Sequence, residues 1–315
     1  RSNVSISRPN VLTGGAIQEN WSIDVTIKDG DWSGFHKFVV RLDSKSSVKA
    51  SHSRIEEYNL IKTAYDAGVL VPKPLFCCDD EQFLGCAFFV MERLNGLSAG
   101  HKLVKENENP TLLFQLGENL ARLHSIKPSS DKLPFLQKCS GTTFQTAITL
   151  YREYLDLLQV PHPVIELGLV WLESNFPAND EVVLCHRDFR TGNFMVNDGE
   201  LSGILDWEMA GWSNPHEDIF WFTSKCWRFG MKSRPAGGLG QRDDFYRGYE
   251  LTSNRKIEHE QKRFWEVMAH VRWALIACQQ ANRHVLGFES SIELALTAHV
   301  VPQLEFEILN LIKED

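Results

Sequence analysis

The sequence predicts an α+β protein in two unequal parts. Three observations predict it. β-branched and aromatic runs separated by Gly and Asx turns fill the first third of the chain. Beyond them Leu112, Leu113, Leu116, Leu120 and Leu123 repeat at helical spacing. Within the helical part, Phe194-Met195-Val196, an Asn197-Asp198-Gly199-Glu200 turn and Leu201 to Leu205 read as one β-hairpin. A chain of 315 residues can bury one large core or two lobes.

In chain order, residues 11–25 read as strand, glycine turn at Gly14-Gly15, strand. A polar turn leads into a β-rich strand over 36–42. Residues 53–67 form a helix: Ser53 with Glu56 makes a capping box, Ile55, Leu60, Ile61 and Ala64 make an apolar stripe, and Gly68 ends it. Pro72 and Pro74 force an extended link. Strands follow over 75–78 and 86–91, with a polar turn at 79–82. Asn95-Gly96 breaks the last strand, which puts a boundary between residues 1–94 and 95–315. Pro128 stops the leucine-rich helix, and further helices are expected near 143–158 and 164–174. Residues 230–256 read as loop, and two long helices, about 257–283 and 291–311, finish the chain.

Composition excludes several classes. The apolar fraction is 43% and the charged fraction 23%, as in soluble globular proteins. A net charge of −8 argues against a nucleic-acid partner. No apolar run reaches the roughly 18 residues of a membrane span, and RSNVSISRPN lacks the apolar core of a signal peptide. Seven cysteines, an odd number without CxxC, suit free thiols in a reducing, cytoplasmic setting. The histidines show no HExxH spacing, so no zinc site is expected. Gly238-Leu239-Gly240 lacks a preceding strand and a third glycine, so it is no dinucleotide fingerprint.

The chemistry concentrates in residues 184–218. Asp188 sits in His186-Arg187-Asp188, Asn193 follows five residues later, and Asp206 ends the hairpin. Folding the hairpin brings Asn193 and Asp206 together beside the loop carrying Asp188. Three such oxygen-bearing groups suit a hard cation such as Mg²⁺. Phosphoryl transfer needs a positioned hydroxyl, a carboxylate for its proton and metal on the phosphate oxygens. Asp188 fits the base, and Asn193 and Asp206 fit the metal ligands. Turn and cap roles would explain single members of this set but not the whole spacing.

This stretch resembles the catalytic loop and metal-binding hairpin of the kinase-like fold, and more closely the aminoglycoside phosphotransferase family. Asp188-Phe189-Arg190 and Asp206-Trp207-Glu208 are similar to the branch fused to some acyl-CoA dehydrogenases. The resemblance implies a bilobal protein-kinase-like fold with an antiparallel-sheet N-lobe over 1–94 and a mostly helical C-lobe over 95–315. It implies ATP and Mg²⁺ between the lobes and a small-molecule hydroxyl as acceptor. On this resemblance, a loop at Gly14 and Gly15 covers the nucleotide phosphates. Arg41 stands where the family places a lysine, paired with Glu57 of the helix. The backbone from Glu92 to Leu94 meets the adenine edge, and Arg190 reaches the transferring phosphoryl group. His186 shapes the loop, His124 is a core residue, and Asp218 caps a helix or braces the catalytic loop.

The acceptor stays open among alternatives. Seven basic residues against three acidic over 228–256, with Trp207, Trp212, Trp221, Trp227, Trp265 and Trp273, suit an anionic or acyl-type compound such as a hydroxyacyl-CoA. The tryptophans equally suit a core, and the basic segment a solvated loop. An aminoglycoside or other amino alcohol is the alternative. A catalytically silent nucleotide-binding pseudokinase is the other, its one support being Arg41 in place of lysine. The oligomeric state is left open.

Overall fold

The computed structural model describes residues 3–12, 19–43, 51–128, 132–137 and 139–313. The N-terminal part holds β1 (Val4–Ile6), β2 (Asn10–Leu12), β3 (Glu19–Ile27), β4 (Gly34–Leu42), α1 (Arg54–Asp66), β5 (Pro74–Cys78), α2 (Glu81–Leu84) and β6 (Phe88–Glu92). The strands form one antiparallel sheet in the order β1-β3-β4-β6-β5, with β2 beside β3. The expected strand at 36–42 is therefore central, paired on both sides, and Arg41 enters the interior from its C-terminal end.

Helix α1 forms as its sequence dictates. Ser53 accepts from the Glu56 backbone, and the Glu56 carboxylate accepts from Ser53 in return. Leu60, Ile61 and Ala64 turn inward, packing on the β5–β6 side of the sheet. One expectation is corrected here. Residues 79–82 are not a plain turn but the start of α2, because the Asp80 carboxylate accepts from Gln82 and nucleates a short helix that Gly85 closes.

The remainder holds α3 (Gly100–Leu103), α4 (Pro110–Leu123), α5 (Thr143–Asp156), α6 (Pro163–Ser174), β7 (Val183–Cys185), β8 (Phe194–Asn197), β9 (Glu200–Ile204), β10 (Gly211–Ser213), α7 (Pro215–Thr223), α8 (Arg242–Ser253), α9 (Lys262–Val285), α10 (Ile292–Thr297) and α11 (Val301–Lys313). All five leucines of the periodic run are buried on α4. The hairpin β8–β9 pairs Asn197 with Glu200 across Asp198 and Gly199, both at positive φ, as a two-residue primed turn requires.

Two further expectations change. The segment read as loop over 230–256 contains α8, which buries Phe245, Tyr246 and Tyr249 against α4. Its Gly248, a breaker by propensity, is a packing point. A Cβ there would overlap the Phe114 carbonyl of α4, and one at Gly117 of α4 would overlap the Phe245 carbonyl of α8. The last helix is broken into α10 and α11 around residues 298–300, because Pro302 opens α11 and cannot continue a preceding helix. Among the described residues no helix is long and apolar enough to cross a membrane.

Candidate active site

The loop from Cys185 to Asn193 joins β7 to β8. Its shape is set by Asp218, fully buried in the first turn of α7. One Asp218 oxygen accepts from the His186 amide at 2.7 Å and the other from the Arg187 amide at 2.7 Å. Those two bonds hold Arg187 at a φ of 61°, a conformation that costs a non-glycine residue energy. Asp218 thus braces the loop, and the helix cap is Asn214, which accepts from the His216 amide. Burial alone would push the Asp218 carboxyl up. The bond from His124 and the pull of His124 and His186 outweigh burial and hold it below its ordinary value.

His124 is the core residue expected. Its ring bonds Asp218 at 3.1 Å and Tyr249 at 3.0 Å, and burial pushes its pKa below the ordinary imidazole value. Ligand atoms of His124, Cys185 and Asp218 lie within 4.8 Å of one another, but each already has protein partners, the Cys185 thiol bonding the Asn214 carbonyl at 3.4 Å. His186 links the loop to the hairpin through the Leu205 carbonyl at 2.8 Å and packs edge-on against Trp207.

The Asp188 carboxylate is held by three side chains. Oδ1 accepts from Trp221 Nε1 at 3.0 Å, and Oδ2 from Asn193 Nδ2 at 2.6 Å. Arg190 Nε reaches both oxygens at 3.2 Å. Asn193 Nδ2 also bonds the Asp188 carbonyl at 3.0 Å, and the Asn193 carbonyl accepts from the Leu205 amide at 2.8 Å. That last bond ties Asn193 to the residue preceding Asp206, so the hairpin sets their separation as the spacing implied.

Asp206, at a φ of 65°, reaches the other half of the molecule. Its Oδ1 accepts from Arg41 Nη2 at 3.1 Å, and Arg41 Nε donates to Glu57 at 2.9 Å. One guanidinium fork therefore joins β4, α1 and the end of the hairpin, a geometry the single ammonium of lysine does not offer. Burial would lower the Arg41 pKa; Glu57, Asp206 and Glu208 outweigh it and keep the group charged. Arg54, which sequence reasoning missed, lies behind this pair. It is wholly buried, bonds the same Glu57 oxygen, and reaches Asp43 at 2.9 Å and the His52 carbonyl at 2.9 Å.

The remaining candidates fall elsewhere. Glu92 is exposed and Leu94 half-buried, just past the sheet edge where Arg93 donates to the Lys37 carbonyl at 2.9 Å. Leu94 packs on Gly203 of the hairpin. Gly14 and Gly15 lie outside the described residues. Trp207, Trp212, Trp221, Trp227 and Trp265 are buried and Trp273 packs against them, which supports the core reading. Trp221 and Trp227 do more than fill space. The first bonds Asp188, and the second lies 4.7 Å beneath the Arg190 guanidinium. An aromatic residue three positions after Asp218 was the available signal. Five of the seven basic residues over 228–256 are paired: Arg234, Arg242, Arg247, Arg255 and Lys256 with Glu108, Glu266, Asp244, Glu181 and Glu250.

Residues 12–257 match the model of the phosphotransferase enzyme family. The chain belongs to that family. Among curated proteins the chain is 26% identical over 286 residues to acyl-CoA dehydrogenase family member 11 of Pongo abelii, covering 86% of this chain and 37% of that one. It thus spans under two fifths of that relative's length. Among solved structures it superposes on a presumed aminoglycoside phosphotransferase from Ralstonia eutropha JMP134 with a TM-score of 0.77, at 19% identity, over 98% of this chain and 93% of that one. Spectinomycin phosphotransferase, in complex with ADP and spectinomycin, matches with a TM-score of 0.64 at 12% identity, over 97% and 94%. The bilobal kinase-like fold is that of these structures, an antiparallel-sheet lobe and a mostly helical lobe.

Proposed function

We propose that this phosphotransferase moves the γ-phosphate of ATP, with Mg²⁺, to the hydroxyl of a small molecule, and that residues 1–94 and 95–315 are the two lobes flanking the nucleotide. The observation that carries the reading is the convergence of Asp188, Arg190 and Asn193 on one braced loop, with Asp206 tied through Arg41 to Glu57. The donor set fits Mg²⁺. Asn193 spends its amide nitrogen on Asp188, which leaves its Oδ1 as a hard oxygen donor, and Asp206 spends only Oδ1 on Arg41 while its side chain is 34% exposed. The ion, when bound, neutralises charge on the phosphate oxygens.

The other steps belong to the chain's own residues. Asp188 orients the acceptor hydroxyl and takes its proton. Arg190 stabilises charge on the transferring group, and Arg41, held by Glu57, meets the phosphates. The backbone from Glu92 to Leu94 receives the adenine edge, and Gly14 and Gly15 cover the phosphates. With Asp188, Asn193 and Asp206 all present, a catalytically silent pseudokinase is the poorer reading. The seven cysteines are unpaired, in keeping with a cytoplasmic enzyme.

For the acceptor, similarity to the acyl-CoA dehydrogenase relative over most of this chain favours an acyl-type or anionic hydroxy compound such as a hydroxyacyl-CoA. The pairing of five of the seven basic residues over 228–256 weakens the charge argument that the sequence offered for it. An aminoglycoside or other amino alcohol is therefore the second reading, favoured by the spectinomycin-bound structural neighbour. Thermal unfolding with ATP and Mg²⁺, singly and together, tests the nucleotide site. Ligand at 100 times Kd should stabilise the native state by about 2.7 kcal/mol. A midpoint shift that needs both is expected, and no shift with any nucleotide would sink the reading. A phosphorylation screen of hydroxyacyl-CoAs against aminoglycosides then separates the acceptors.

A further inference from the structure

The Asp188 carboxylate is crowded. A carboxylate offers roughly four lone-pair sites, two on each oxygen. Here Oδ1 receives Trp221 Nε1 at 3.0 Å and Arg190 Nε at 3.2 Å, while Oδ2 receives Asn193 Nδ2 at 2.6 Å and the same Arg190 Nε at 3.2 Å. An acceptor hydroxyl must also donate its proton to one of these oxygens, so one donor has to leave.

The three donors differ in their freedom to do so. Trp221 is 2% exposed. Its ring is held by the Arg272 guanidinium 4.6 Å over it and by Trp227 at 5.1 Å between centroids. Arg272 is in turn fixed to Glu217 at 3.0 Å. Asn193 is 5% exposed and locked by backbone bonds at both its amide and its carbonyl. Arg190 is the exception. Its side chain is 27% exposed, its one Nε–H is shared between both oxygens, and a shared bond is weaker than a direct one. Its other supports are a long 3.4 Å bond from Nη1 to the Thr191 carbonyl and the face of Trp227, a contact that tolerates sliding.

We infer that Trp221 is a positioning residue for the Asp188 base, its indole N–H fixing the carboxylate so that Arg190 is the donor that yields to the acceptor hydroxyl. The inference rests on the phosphotransfer reading of Asp188. In the resting enzyme Arg190 covers the base. When the hydroxyl arrives, Arg190 moves off along Trp227 toward the transferring phosphoryl group, while Trp221 and Asn193 keep the carboxylate aimed.

The test compares wild type with Trp221→Phe, which keeps the ring and loses the N–H. MgATP turnover with water as acceptor is measured first. Loss of one hydrogen bond to a charged group should lower kcat about tenfold, with KM for MgATP within about twofold because the indole does not reach the nucleotide. Unchanged kcat, or kcat and KM moving together, overturns the inference. The second readout is the indole region of a ¹⁵N-tryptophan-labelled NMR spectrum. The resonance that Trp221→Phe deletes should move upfield in Asp188→Ala; a resonance that stays put means that the bond is absent, and the inference falls. Where Trp221→Phe packs poorly, 3-benzothienylalanine at position 221, with sulfur in place of N–H, repeats both measurements in an isosteric ring. The spectrum requires no phosphoryl transfer, so absence of all MgATP turnover in wild type counts against the phosphotransfer reading while the indole resonance still decides this one.

Discussion

Single side chains decide how this site is charged. Asp188→Asn keeps the shape of the loop and removes the base, and turnover should fall by about 10²–10⁴-fold, the usual span for a general base. Steady-state kinetics with a phosphorylated acceptor measures it, and near-normal turnover would take Asp188 out of that role. Glu57 is a different case. It lies between two buried guanidiniums, Arg41 and Arg54, whose side chains are 9% and 0% exposed. Glu57→Ala leaves both short of their shared partner. Breaking a buried pair from one side costs about 3–5 kcal/mol, so urea unfolding should show a loss of that order, larger than for any surface carboxylate. The spacing of Asp188, Asn193 and Asp206 was legible because all three lie in one short stretch, where a hairpin alone sets the geometry. Arg54 and Trp221 were not legible. Arg54 and Glu57 are an i,i+3 pair on α1, but that spacing does not show that both are buried or that Arg54 also reaches Asp43 and Glu57 reaches Arg41; Trp221 matters because α7 lies against the catalytic loop, which leaves no mark on local spacing.

At the scale of elements, local code and tertiary contact contributed unequally. Helix α1 was readable because capping box, stripe and terminating glycine act within one segment. Helix α8 was not, because Asp243, Asp244, Gly248 and Thr252 give its sequence a weak propensity. It is helical because Phe245, Tyr246 and Tyr249 are buried and its backbone comes up against α4. The glycines at that crossing make a prediction. A methyl at Gly117 would overlap the Phe245 carbonyl, a backbone atom that cannot rotate away. Gly117→Ala should destabilise the protein toward the upper end of the roughly 1–3 kcal/mol cost of overpacking, although alanine is the better helix former. Equal or higher stability in chemical denaturation would show that α4 and α8 can separate freely. Gly96 plays the matching part just after β6. Its φ is 127° and a Cβ would overlap the Val196 carbonyl, where Leu97 and Val196 exchange backbone bonds at 2.8 and 2.9 Å. The segment that follows β6 is thereby stitched to the hairpin that lies between Asn193 and Asp206.

For the whole molecule, the buried histidines set the response to acid. Burial, and next the neighbouring His124, hold His216 down at about 4. Its ring meets Asn214 Oδ1 at 3.0 Å and accepts from the Glu258 amide at 3.2 Å, a pattern that the neutral ring satisfies and the doubly protonated ring does not. The unfolded chain takes up this proton near pH 6.5 and the folded chain only near pH 4, so between them the unfolded state binds more protons. Stability should therefore fall as pH drops from about 6.5 toward 4, by up to about 3 kcal/mol from this residue, and His124 and His270 push the same way. Urea unfolding across that range should show the slope, and His216→Leu should flatten part of it; identical slopes would remove His216 as a source. By itself the sequence determined much of the succession of strands and helices, though not α2, α8 or the break before α11, together with the hairpin and the spacing of Asp188, Asn193 and Asp206, because capping, turn chemistry and periodicity act over a few residues. Only the tertiary structure decided that Arg41 spans Glu57 and Asp206, that Trp221 holds Asp188 and that Asp218 braces the loop. Each of those is a contact between segments far apart in the chain, fixed by burial and by the requirement that buried charges find partners.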